Sequence, residues 1–146
     1  APLDLSLWSV LVQQTDQHMN QLENRLASFS RWPLTGDVAC SPARMADAGF
    51  YHCPTESEPD LVRCYVCLKE MTDWNPADDP VEEHARLTDC AFLRLGKKPQ
   101  ELTVADFLDL ERARAQNKVR KIMALRNADA VQQALDELYQ RLNELP

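Results

Sequence analysis

The sequence predicts an α+β protein: a small module of short helices and short strands gathered around a Cys/His cluster, followed by one long C-terminal helix. Three observations carry that expectation. Cys64 and Cys67 stand one short turn apart, His84 follows after sixteen residues and Cys90 after five more. Capped helix starts flank the cluster. From Thr103 onward there is neither Gly nor Cys, Pro recurs only at Pro146, and Ala, Leu, Arg and Glu dominate.

In chain order, the first element is the stretch "TDQHMNQLENRLASFSRW", where Met19, Leu22, Leu26 and Phe29 fall at helical spacing behind Thr15 as a cap, so those four are expected in the core. "CSPARMADAGF" reads as a short helix with Ser41 as N-cap, Pro42 at N1 and Gly49 as the stop. Residues 61–68 and 70–74 read as short strands around a Cys-x-x-Cys knuckle. "DDPVEEH" opens a further helix with Asp79 as N-cap, Pro80 at N1 and Glu82 at N3, which presents His84 in the second turn. An unbroken helix would rotate Cys90 about 600° from His84 and point it away, so this helix must end near Leu87 or Thr88. The last element runs from Thr103 toward Leu145. Its apolar positions Ala128, Val131, Leu135, Leu138, Leu142 and Leu145 step three and four residues in turn, a coiled-coil seam, while Val119 and Ile122 lie out of phase, so a stutter is expected near 124–127. A lone helix cannot bury such a seam; a second copy or partner helices are expected to cover it. The resulting organisation is an N-terminal segment 1–21, a compact module 22–96, a linker 97–102 and a helix 103–146.

Bulk composition narrows the function. The formal net charge of −7 argues against binding nucleic acid across the whole surface. From Glu56 to Glu83 nine acids face only Arg63 and Lys69, whereas Glu111 to Arg126 holds six basic residues and one acid. Five cysteines cannot all pair, which favours a reducing compartment. No apolar run reaches the roughly 18 residues of a membrane span, and the patch "LSLWSVLV" has no basic stretch before it, so a soluble, unexported chain is expected.

Zinc takes four tetrahedral nitrogen and sulfur ligands, two of them commonly from a Cys-x-x-Cys turn and two from a distant pair. Cys64, Cys67, His84 and Cys90 meet that pattern. A redox pair would sit between a strand and a helix N-terminus, but "RCYVCLKEMTDW" reads as strand, knuckle, strand. Burial of the cysteines as small apolar residues is the other reading. Zinc is the favoured one.

With those residues in place, the chain resembles the baculoviral IAP repeat (BIR) family. The matching pieces are "RLASFSRWP", "CSPARMADAGFYH", "PDLVRCYVC", "DWNPADDPVEEH" and "ELTVADFLDLERARAQNK", in that order over roughly residues 22–120. One repeat followed by one long helix, with no second cysteine-rich segment, resembles the family's single-repeat members. The resemblance implies short helices around a three-stranded antiparallel sheet, with Zn2+ on the four residues above. It implies a groove for the free N-terminus of a peptide beginning with Ala, notably a phosphorylated histone tail at mitotic centromeres. Asp78 and Glu58 match the family's acidic positions for the terminal ammonium, Trp74 and Met71 the apolar wall, and Lys69 the phosphate-facing Lys. Leu87 stands where phosphate-binding members carry His and Thr72 where they carry Glu, so altered phosphate dependence is expected; five residues rather than six separate His84 from Cys90, which leaves the zinc reading intact if the loop tightens. The resemblance further implies a homodimer through Leu102, Val104 and Phe107 with Trp8 as N-terminal counterpart. It also implies a bundle of the C-terminal helix, through Val131, Leu135, Leu138 and Leu142, with borealin-like and inner-centromere-protein-like helices of the chromosomal passenger complex.

The function implied is a noncatalytic adaptor in chromosome segregation and cytokinesis, linked indirectly to a mitotic kinase, nuclear and cytoplasmic, at centromeres and the spindle midzone. No membrane or direct nucleic-acid contact is expected. The alternative is an apoptosis inhibitor that binds caspases or IAP antagonists. An enzyme using Cys67 or Cys90 is disfavoured, because cysteine and histidine held in a closed four-ligand site can neither attack nor accept a proton. Cys40 and Cys53 would have only His52 as a base.

Overall fold

The structure is a computed structural model that describes residues 18–146. They divide between Asn117 and Lys118 into two compact units. In the first, α1 (Leu22–Ala27) runs into a 3-10 turn (Ser28–Arg31), then come α2 (Pro42–Asp47) and the strands β1 (Phe50–His52), β2 (Val62–Cys64) and β3 (Glu70–Met71). Helices α3 (Pro80–Leu87) and α4 (Ala91–Leu95), a 3-10 turn (Pro99–Glu101) and the start of α5 (Val104–Asn143) complete it. The second unit holds the rest of α5, whose 40 residues correspond to roughly 60 Å.

The sheet is antiparallel in the order β1-β2-β3, with Tyr51 opposite Arg63 and Arg63 opposite Glu70. Those three side chains also bond across it: the Arg63 Nε donates to Glu70 at 3.1 Å and its Nη1 to the Tyr51 hydroxyl at 3.2 Å. Both strands are shorter than the expected 61–68 and 70–74. Residues 65–67 form a turn, and Leu68 and Asp73 adopt left-handed backbone (φ +62° each) at either side of β3. β1 is the strand that periodicity missed: all three of its residues are buried, so no alternation marks it.

Helix starts followed their caps. Ser41 accepts from the Arg44 N–H, and Asp79 Oδ1 accepts from the Val81 and Glu82 N–H groups at 2.9 and 3.1 Å. Gly49 sits at φ +95° between α2 and β1, where an added Cβ would lie 3.1 Å from the Phe92 ring. The first helix departs from expectation. Among the described residues it opens at Leu22 after a break at Met19–Gln21, Thr15 as the expected cap lies outside them, and Trp32 turns extended ahead of Pro33.

Its core contribution also differs from the apolar pattern, because Leu26 is 45% exposed while Arg25 is fully buried. The Arg25 guanidinium donates to the Ala46 carbonyl at 3.0 Å and the Met19 carbonyl at 2.9 Å and lies 4.6 Å over the Tyr65 ring. A planar fork with a weakly hydrated charge suits that slot, and an ammonium does not. Arg25→Lys is therefore expected to lower stability by about 2 kcal/mol in urea denaturation, and Leu26→Gln to stay within about 0.5 kcal/mol. Around Arg25 the core gathers Phe29, Trp32, Met45, Phe50, Val62, Tyr65, Phe92 and, from α5, Leu110.

Candidate functional site

Four side chains that the sequence scatters over 27 positions meet at one point. The ligand atoms of Cys64, Cys67, His84 and Cys90 all lie within 4.8 Å of one another. Cys64 ends β2, Cys67 closes the turn after it, His84 comes from α3, and Cys90 precedes α4. The turn is held by the Leu68 N–H on the Cys64 carbonyl at 3.0 Å and by the Val66 N–H, which donates to Cys64 Sγ at 3.4 Å. Helix α3 stops at Leu87 as the geometry demanded: Thr88 is extended, and both its N–H and hydroxyl bond back to the His84 carbonyl. That bend returns Cys90 to the cluster.

The donor set fits zinc. A tetrahedron with about 2.3 Å arms to sulfur has sulfur–sulfur edges of about 3.8 Å, and sulfur–nitrogen edges of about 3.5 Å. Cys64 Sγ lies 3.8 Å from Cys90 Sγ, and Cys67 Sγ lies 3.4 Å from His84 Nε2. His84 Nδ1 donates to the Ala48 carbonyl at 3.0 Å, which fixes the tautomer and leaves Nε2 facing the sulfurs. Charge points the same way. Burial and the neighbouring sulfurs push the Cys64 thiol well up, the bonds from Cys64 and Cys90 pull Cys67 down, and His84, although burial opposes it, is raised to about 9 by Cys67 and Cys90. The cluster thus draws positive charge to itself, and a metal entering it competes with protons.

Beside the cluster, a groove of about 470 Å³ follows β3 and the first residues beyond it. It brings together Lys69, Met71, Trp74 and Asp78 from the sequence reading, with Thr72 and Leu87 at the same groove. Glu58 stands apart: it belongs to the β1–β2 loop, where its peptide group bonds to Thr55, and it does not line the groove. The acid that shapes this place is Asp60, which the sequence reading passed over. Asp60 Oδ1 accepts from the Thr72 hydroxyl at 2.7 Å and Oδ2 from the Trp74 N–H at 2.8 Å, bridging the two residues that flank left-handed Asp73. Burial works against its ionisation, but the bonds from Thr72, Trp74 and Asp73 outweigh it and hold the carboxyl below the ordinary 3.8. Since its folded value is depressed, its contribution is present above about pH 4 and lost as the pH falls through the folded value. Asp60→Ala is expected to cost about 2 kcal/mol at pH 7 by denaturant melts and progressively less below pH 4.

The other assigned residues fall into two sets. Leu102, Val104 and Phe107 line a hollow of about 450 Å³ with Leu22 and Pro99, and Val104 is 78% exposed. Trp8 lies outside the described residues. In the second unit Val131, Leu135, Leu138 and Leu142 are between 43% and 60% exposed. His52, the one candidate base for Cys40 or Cys53, packs against Phe29 and Trp32, and its Nε2 is taken by the Pro59 carbonyl at 2.7 Å.

A family profile described as "BIR: Inhibitor of Apoptosis domain" matches residues 25–94. Among curated proteins, the chain is 54% identical over 98 residues to "Baculoviral IAP repeat-containing protein 5" of Mus musculus, covering 66% of this chain and 70% of that protein. It is 50% identical over 100 residues to the protein of the same name from Rattus norvegicus, covering 68% and 70%. To "Baculoviral IAP repeat-containing protein 5.2-A" of Xenopus laevis it is 49% identical over 106 residues, covering 72% and 68%.

Proposed function

From the premise that this chain belongs to the baculoviral IAP repeat family, among relatives of the survivin type, we propose that it is a noncatalytic adaptor. In this reading the zinc module reads the free N-terminus of a peptide, and the long helix recruits partner helices. Cys64, Cys67, His84 and Cys90 would hold Zn2+, which serves structure: all four positions are taken by protein, so no site is left for a reacting water. The observation that carries the peptide reading is the groove itself. It lies along β3, an edge strand of the sheet, and is lined by Asp78 together with Trp74 and Met71. An incoming backbone can pair with such an edge, a terminal ammonium needs a carboxylate, and a first-residue methyl needs an apolar wall.

Titration calorimetry tests it. A peptide beginning Ala-Arg-Thr is expected to bind, its N-acetylated form to lose most of the affinity, and Asp78→Ala to abolish the heat. Unchanged affinity in the variant would remove the groove assignment. The exposed seam of Val131, Leu135, Leu138 and Leu142 supports the second half of the reading, in which borealin-like and inner-centromere-protein-like helices cover it in a chromosomal passenger complex at centromeres and later at the spindle midzone. The hollow at Leu102, Val104 and Phe107 is the surface by which the chain would pair with a second copy when those partners are absent. Copurification from dividing cells reads both surfaces.

The family description favours a second reading, an apoptosis inhibitor acting on caspases or on their antagonists. Absence of caspase slowing at submicromolar protein discards the direct form of it.

A further inference from the structure

Resting on the peptide reading of the groove, we infer that this groove selects a cationic, unphosphorylated peptide end, and that the Glu83–Arg86 pair at its rim sets that preference. The ionisable side chains lining it are Lys69 and Arg86 against Glu70, Asp73, Asp78 and Glu83, an excess of two negative charges. Ion pairing, in which Glu70 is held by Arg63 and Glu83 by Arg86, leaves acids outnumbering cations two to one. Arg86 Nη2 donates to Glu83 Oε2 at 2.6 Å, one turn apart on α3. Among the described residues Lys69 is in no ion pair, and neither are Asp73 and Asp78, so the groove presents one uncommitted cation against two uncommitted carboxylates.

Asp78 Oδ2 is used by the Asn75 N–H at 2.8 Å, which fixes the carboxylate while its other oxygen can face an ammonium. Asp73, at φ +62° between the two residues that Asp60 holds, lines the same groove and adds a second carboxylate for a positive group of the ligand. Leu87, 45% exposed in the same lining, offers no donor at all.

A phosphate brings roughly −1.5 to −2 charge and needs cationic donors within hydrogen-bond reach. Here it would find Lys69 alone. Arg86 could swing to it, since an exposed pair of this kind holds its partner weakly, but doing so would leave the Glu83 carboxylate facing the phosphate. The net charge of the groove is the same either way. A basic side chain meets the opposite situation, with carboxylates in excess and nothing to displace.

The experiment uses the full zinc-loaded chain and two synthetic peptides of equal length beginning Ala-Arg-Thr-Lys, one unmodified and one phosphorylated on the threonine, titrated at low and at physiological salt. The unmodified peptide is expected to bind about tenfold more tightly at low salt, with the gap narrowing as salt rises. In Glu83→Gln, which leaves Arg86 uncommitted, the gap is expected to fall below about threefold while thermal stability stays that of the parent. A phosphopeptide that binds the parent chain as tightly or more tightly overturns the selectivity and leaves the groove reading standing. A gap that Glu83→Gln does not change overturns the role given to the pair. If neither peptide binds, the groove reading fails and this inference falls with it.

Discussion

His84→Ala is expected to abolish cooperative thermal unfolding of the module, and a chelator is expected to do the same to the parent chain. The strands that this cluster joins are two or three residues long, and so short a sheet has little stability of its own. The connection made at the cluster is between β2, the turn after it, α3 and the segment before α4, elements that no disulfide ties to one another. Structural zinc in small domains contributes on the order of 10–16 kcal/mol of apparent binding energy, more than a domain of this size has in reserve. Removing the imidazole leaves three sulfur donors gathered around one centre and little to balance their charge. Circular dichroism melts with and without chelator check this, together with atomic emission for one zinc per chain. A His84→Ala chain that melts within about 5 °C of the parent would show that the cluster is packing rather than a metal centre.

Trp74→Ala is expected to destabilise the module by about 3–5 kcal/mol and to remove peptide binding with it. The indole is 7% exposed and meets the Phe50 ring edge-on at 5.7 Å, and Phe50 in turn lies 4.6 Å from the His84 ring. The groove wall and the Cys/His cluster are thus successive layers of one stack. Loss of the wall leaves a cavity against the ring that positions a ligand. Trp74→Phe separates the two roles. The Trp74 Nε1 has no hydrogen-bond partner among the described residues, so deleting it removes a buried unpaired donor and offsets part of the lost area. The phenylalanine variant is expected to fold within about 1.5 kcal/mol of the parent, which lets peptide affinity be read on a folded protein. An alanine variant that unfolds at the parent's denaturant midpoint would refute the layered arrangement.

Much of this was legible in the sequence because it is local chemistry. Ser41 and Asp79 announce helices α2 and α3 because a capping side chain bonds to backbone within three residues of itself, and Gly49 marks a stop because its φ is one that a β-carbon resists. The Cys/His cluster of Cys64, Cys67, His84 and Cys90 could be read from spacing, since a Cys-x-x-Cys turn can do few other things between two strands. Even the end of α3 followed from helical rotation, before any tertiary contact was known. The long helix needed only composition and a three-four seam.

What only the tertiary structure decided is the identity of residues whose role depends on partners far along the chain. Arg25 rather than Leu26 enters the core because the Ala46 and Met19 carbonyls and the Tyr65 ring converge on it, a fact no periodicity contains. β1 hides from pattern reading because both faces of it are covered. Glu58 and Asp60 are two residues apart and alike in chemistry, yet Asp60 alone closes on Thr72 and Trp74, because that choice belongs to the loop's path and not to the side chain. The sequence by itself determined which donors and which helices this protein has; their convergence, and therefore the groove and its charge, arose from contacts between segments whose separation along the chain carries no local signal.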